Sequence, residues 1–75
     1  MDEPSNEQRA EWAYAAVESF ASKTRQDTSG DLKHDLECVV SDLLCDLMHL
    51  SDRDGFDFDR ATSNAAGNYQ EELIL

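Results

Sequence analysis

"DLKHDLECVVSDLLCDLMHLSDR", residues 31–53, carries Leu32, Leu36, Val39, Val40, Leu43, Leu47 and Leu50 at steps of mostly three and four residues. That spacing puts them on one side of an α-helix, in a broad apolar stripe. With a turn of about 100° per residue and Leu36 set at zero, the stripe runs from roughly 300° to 80°. On the same projection Asp31, Asp35, Asp42 and Asp46 fall between roughly 220° and 280°, with His49 near 220°. The acids therefore border the apolar edge instead of opposing it. Asp42 and Asp46 are one turn apart, and like charges at that spacing destabilise a helix by about 0.2–0.5 kcal/mol. Helix formation alone does not ask for such an arrangement. The rear side, with Cys38, Ser41, Cys45 and Met48, is weakly apolar. A side of that kind meets another helix, either one of this chain or one of a second copy.

The flanks of this segment carry start and stop signals. Gly55 suits the position just past a helix end, where a left-handed backbone is common. Asp57 then suits an N-cap, and Phe56 before it has staple spacing to Ala61. Phe58, Ala61, Ala65 and Tyr69 continue a third stripe, in which Gly67 costs roughly 1 kcal/mol against alanine. Upstream, Pro4 precedes Ser5, and Gln8 stands three residues beyond Ser5, which is the spacing of a capping box. Trp12, Ala13, Ala16, Val17 and Phe20 follow on one side of a first helix, with Glu7, Glu11 and Glu18 nearly opposite. "RQDTSG", residues 25–30, has no periodicity and reads as a loop. No alternating run suggests a strand. The expected fold is all-α: one domain over 1–75, a small antiparallel three-helix bundle with helices over 6–23, 31–53 and 58–72. Residues 1–4 and 73–75 are expected to be loose.

Composition narrows the function. Six basic against seventeen acidic residues give a net charge of -11 over 75 residues. Nucleic-acid affinity rests on Lys and Arg neutralising phosphates, so direct binding to DNA or RNA is not expected. The same field repels anionic membranes and attracts basic protein surfaces. The start lacks the basic residues and apolar run of a secretory signal, and no stretch approaches a membrane span. The expected location is the cytoplasm, with reduced thiols. Cys38 and Cys45 on one helix lie about 10.5 Å apart along its axis, too far to bridge each other. Cys45 and His49 are one turn apart, yet no orienting third group or oxyanion hole accompanies them. His34 and His49 span about 22 Å along the axis, beyond a single zinc site. No glycine-rich phosphate loop is present.

"SDLLCDLMHLSDRDGFDFDRA", residues 41–61, resembles the second half of the MazG-like all-α nucleotide pyrophosphohydrolases. In that family an E-x-x-D helix is followed by a turn of the "GIDLEEA" type, and an upstream E-E-x-x-E helix completes a set of acids that holds magnesium on a nucleoside triphosphate. The resemblance implies Glu7, Glu11 and Asp42 as the magnesium ligands. It departs from the pattern at Val39, which stands where the second helix has its glutamate, and at Gln8, which replaces the middle acid of the first. Glu7 and Glu11 also project roughly 140° from the apolar side of the first helix, so they could meet Asp42 only across a subunit boundary.

Three readings of the acidic row follow: a solvated flank, a magnesium site, or a contact surface for a basic partner. The row favours the third over the second. The expectation is a non-enzymatic interaction module with no cofactor, magnesium entering only under the alternative of a degenerate pyrophosphohydrolase. Asp35, Asp42, Asp46, Asp57 and Asp59 are the expected partner-binding residues. They would occupy the Lys/Arg clusters that otherwise grip phosphates, as an inhibitor or nucleic-acid mimic does. Phe56, Phe58 and Tyr69 are candidate apolar anchors, although Phe58, like Trp12, is expected in the core.

Overall fold

The computed structural model describes residues 4–24 and 32–74. They form three helices, α1 (Asn6–Thr24), α2 (Leu32–Asp54) and α3 (Phe58–Leu73), with no strand among the described residues. The chain is an all-α three-helix protein. The expected loop over 25–30, the start of the second helix at Asp31, and the looseness expected of residues 1–3 and 75 lie outside the described residues.

Local chemistry accounts for the helix ends. The Ser5 backbone N–H donates to Gln8 Oε1 at 3.0 Å, and the Gln8 N–H donates to Ser5 Oγ at 3.1 Å. This reciprocal pair satisfies two donors that the first turn of α1 would otherwise leave orphaned. At the end of α2, Gly55 adopts φ 79°. The N–H groups of Gly55 and Phe56 then both reach the Ser51 carbonyl, at 2.9 and 3.2 Å. A left-handed residue that closes the last turn in this way is strained for any residue with a Cβ. Two residues later Asp57 caps α3, its side chain accepting from the Arg60 N–H at 3.0 Å. The helix ends at the α2–α3 corner are thus set by short-range hydrogen bonds.

Packing is concentrated where α1 crosses α2. Among the described residues, Val17 and Ala21 of α1 and Val39 of α2 are the buried apolar ones, with Phe20, Leu36 and Leu43 half-buried around them. Trp12, expected in this core, is 59% exposed. It precedes Val17 by five residues and so projects about 140° away from it, on the trailing edge of a stripe wider than α2 covers. Phe58 is half-buried at the α2–α3 corner, but no residue of α3 is fully buried. The far end of α3 is tied to the start of α1 by polar contacts: Arg9 Nη1 to Glu72 Oε2 at 3.3 Å, and Asn6 Nδ2 to the Glu72 carbonyl at 3.2 Å. Between these ends lies a hollow of about 390 Å³ lined by Asn6, Arg9, Ala10, Tyr69, Glu72 and Leu73.

The outcome is an open arrangement. A folded chain of this length has a radius of gyration of about 11 Å, whereas here it is 14.1 Å. An 8.4 kDa folded monomer exposes about 4,600 Å², and this chain exposes 6306 Å². Part of that surplus is the flank of the α2 stripe, where Val40, Leu44 and Met48 remain exposed.

Candidate interaction surface

The acidic row of α2 stands beside the α1–α2 contact. Asp35 is half-buried near the start of the helix, and Asp42 and Asp46 are exposed further along. Asp42, Cys45 and Asp46 share with Phe20 and Thr24 of α1 a shallow hollow of about 340 Å³. α1 covers the stripe near 300° to 0°, so the row at roughly 220° to 280° becomes the rim of that contact. Carboxylates at such a rim are presented to solvent yet have a rigid, packed backbone beneath them.

Asp57 and Asp59 form a separate group at the α2–α3 corner. With Met48, Ser51, Asp52, Phe56 and Phe58 they line a hollow of about 290 Å³. The Asp57 carboxylate is engaged in capping α3, and Asp59 stands in the first turn, where a negative charge favours the helix dipole. The five expected contact residues therefore divide into an α2 group of three and a corner group of two. Phe56 and Tyr69 are exposed aromatics, whereas Phe58 is only half-exposed.

Arg53 makes a two-pronged contact with its neighbour Asp54, Nε to Oδ1 at 2.8 Å and Nη2 to Oδ2 at 2.9 Å. That hydrogen-bonded pairing raises the Arg53 pKa and lowers that of Asp54. The guanidinium of Arg53 is thereby engaged by its own neighbour at the end of α2. Ser51 is the buried polar residue here, and its hydroxyl donates to the Met48 carbonyl at 2.7 Å.

The alternative magnesium ligands are not gathered in one place. Asp42 lines its hollow with Phe20 and Thr24, at the C-terminal end of α1. Glu11 lies nine residues, or about 13.5 Å of helix, before Phe20, and Glu7 lies a further turn away. Among the described residues no three His, Cys, Asp or Glu side chains group as a metal site. Cys38 and Cys45 are both exposed and are not joined to each other. His49 is exposed as well and stands outside the hollow that Cys45 lines. Among the described residues no helix is long and apolar enough to cross a membrane.

Two features escaped the reading of the sequence. The Arg9–Glu72 pair joins residues with no local relation, so no spacing rule reveals it. The exposure of Val40 and Leu44 depends on how much of the stripe α1 covers, which periodicity does not specify. No family model matches the chain, and no curated protein or solved structure matches it either.

Proposed function

We propose that this chain is a small, acidic, non-enzymatic interaction module that binds a basic surface on a partner protein. The observation that carries this reading is the rim of α2, where Asp42 and Asp46 stand exposed one turn apart beside a packed helix contact. Carboxylates one turn apart on a rigid helix suit Arg and Lys side chains, with each guanidinium able to take two oxygens. The net charge of -11 extends that attraction over a longer range and accelerates encounter. Asp57 and Asp59 add a second acidic group at the corner, where Phe56 supplies exposed aromatic area, while Tyr69 stands at the far end of α3 beside Asn6 and Arg9. Interfaces of this kind derive most of their affinity from a few aromatic or Arg anchors, while the surrounding charges set rate and specificity.

The partner class with the required surface is a nucleic-acid-handling protein, whose phosphate-gripping Lys and Arg would be occupied by these acids. The function is then inhibition by occupancy. Immobilised chain should retain such a partner from host lysate at low ionic strength and release it as salt rises, since exposed charge pairs are screened. Asp42→Asn with Asp46→Asn should weaken retention and flatten its salt dependence. Retention that is equal in the double variant, or indifferent to salt, refutes the proposal.

A further inference from the structure

On the reading of the chain as a binder of basic proteins, we infer that the hollow at the α2–α3 corner is where such a partner is anchored. Its occupant is a short basic segment: one apolar side chain enters the hollow, and flanking Lys or Arg side chains meet the carboxylates around it. Met48, Phe56 and Phe58 supply the apolar lining, and Asp52, Asp57 and Asp59 the acidic one. Met48 and Phe56 are 52% and 43% exposed, so apolar surface is open to a visitor there. The three aspartates are exposed as well.

Size and charge choose the occupant. Small-molecule sites measure about 300–1,000 Å³, and this hollow, at about 290 Å³, is on the scale of one or two side chains. A wholly apolar segment would desolvate three carboxylates without giving them partners, which is costly. A wholly charged segment would leave Met48 and Phe56 in water. A segment that carries both kinds of group satisfies the whole lining. The net charge of -11 draws basic segments in and repels acidic ones, a second copy of this chain included. The cations of the corner do not fill the role. Arg53 is held by Asp54, and Arg60, in the first turn of α3, is not part of the lining. Asp57 can cap and bind at once: Oδ1 accepts from the Arg60 N–H, and a carboxylate offers roughly four acceptor positions over its two oxygens.

The corner is held ready before a partner arrives. Gly55 turns the chain at φ 79°, and the Phe56 N–H is tied to the Ser51 carbonyl at 3.2 Å. An aromatic ring on a backbone fixed in this way loses little freedom on binding, while the Met48 thioether chain adapts to the shape that enters. A few such anchors supply most of the affinity of an interface. On the α2 projection Met48 and Asp52 lie at roughly 120° and 160°, whereas Asp42 and Asp46 lie at roughly 240° and 280°. The corner and the α2 row therefore face different ways, and mutation separates them.

An NMR titration of the full chain at low ionic strength tests the site. The probe is a blocked peptide with one leucine between two arginines on each side, and its control has glycine in place of the leucine. The leucine peptide should shift the amide signals of Met48, Phe56, Asp57 and Asp59, and the control should bind about tenfold or more weakly. Phe56→Ala should weaken the leucine peptide by about tenfold and leave the control within about twofold. Asp52→Asn with Asp59→Asn should weaken both peptides and reduce the salt dependence of each. Asp42→Asn with Asp46→Asn should leave the corner shifts as they are. If Phe56→Ala lowers helicity, Met48→Ala, at a more exposed position, takes its place with the same expectation. Equal affinity of the two peptides overturns the anchor, as does an anchor variant that binds the leucine peptide like the parent. Shifts confined to the surroundings of Asp42 and Asp46 overturn the corner site and leave the wider reading of the chain standing. No shift with either peptide overturns both.

Discussion

Val39 and Val40 are adjacent, chemically identical and differently placed, which makes Val39→Ala against Val40→Ala a direct measure of the α1–α2 core. Val39 is 2% exposed and Val40 37%. Removing two methyl groups from a fully covered side chain forfeits about 1.6 kcal/mol of transfer free energy, and the cavity left behind adds roughly 0.5–1 kcal/mol. The cavity contribution is kept at the low end because Phe20, Leu36 and Leu43 around the site are half-exposed and can settle into it. At Val40 about two-thirds of that transfer loss applies, near 1 kcal/mol, with no enclosed cavity. Both changes gain roughly 0.6 kcal/mol of helix propensity, which cancels in the comparison. Val39→Ala is therefore expected to be less stable than Val40→Ala by about 1–1.5 kcal/mol, a difference in Tm of roughly 4–12 °C for a domain of this size. Thermal unfolding followed by circular dichroism at 222 nm, at a concentration where the chain is monomeric, provides the assay. Equal melting temperatures would refute the placement of Val39 in the core, and a larger loss at Val40 would mean that α1 packs on the opposite flank of α2.

Three further outcomes are expected. Asp57→Ala removes the cap from the Arg60 N–H and should cost about 1 kcal/mol in a denaturant titration. Asp57→Asn keeps most of that cap without the charge, so a partner-binding loss shared by both variants belongs to the charge. Gly67 has open space around an added Cβ, so Gly67→Ala should stabilise α3 by about 0.5–1 kcal/mol. Gly55→Ala, at φ +79°, should instead cost about 1–2 kcal/mol, and both are read from the unfolding midpoint. In an NMR titration Asp54 should ionise below the usual aspartate value, and Arg53→Gln should return it upward. The sign follows from a folded pKa below the unfolded one: the pair's contribution is present above the unfolded pKa and is lost as pH falls through the folded one. Because both groups are at the surface, the unfolding midpoint should hardly move.

Helix limits were legible because their causes are local. Ser5 with Gln8, Gly55 and Asp57 act within four residues of themselves, and the ends expected from them agree within one residue with α1, α2 and α3. Which part of each stripe is covered was not legible. Trp12 and Val17 fit one apolar side when periodicity alone is counted, yet the packed cluster takes Val17, Phe20 and Ala21 from α1 and leaves Trp12 exposed. The angular place of Asp42 and Asp46 beside the core followed from counting turns, whereas the hollow they share with Phe20 and Thr24 depends on where α1 crosses. The Asp57 carboxylate was read both as a cap and as a contact residue, and the cap explains its position without any partner.

α2 thus carries two rows that answer to different physics. The carboxylates at Asp35, Asp42 and Asp46 gain from a long-range field and lose when salt shortens it. Val40, Leu44 and Met48, exposed on the other flank, would instead contribute through removal of apolar area, which salt does not screen. A salt series on partner retention therefore tells which row makes the contact. Retention that falls steeply as salt rises belongs to the carboxylates, and retention that holds would mean that the acidic row has no part in it.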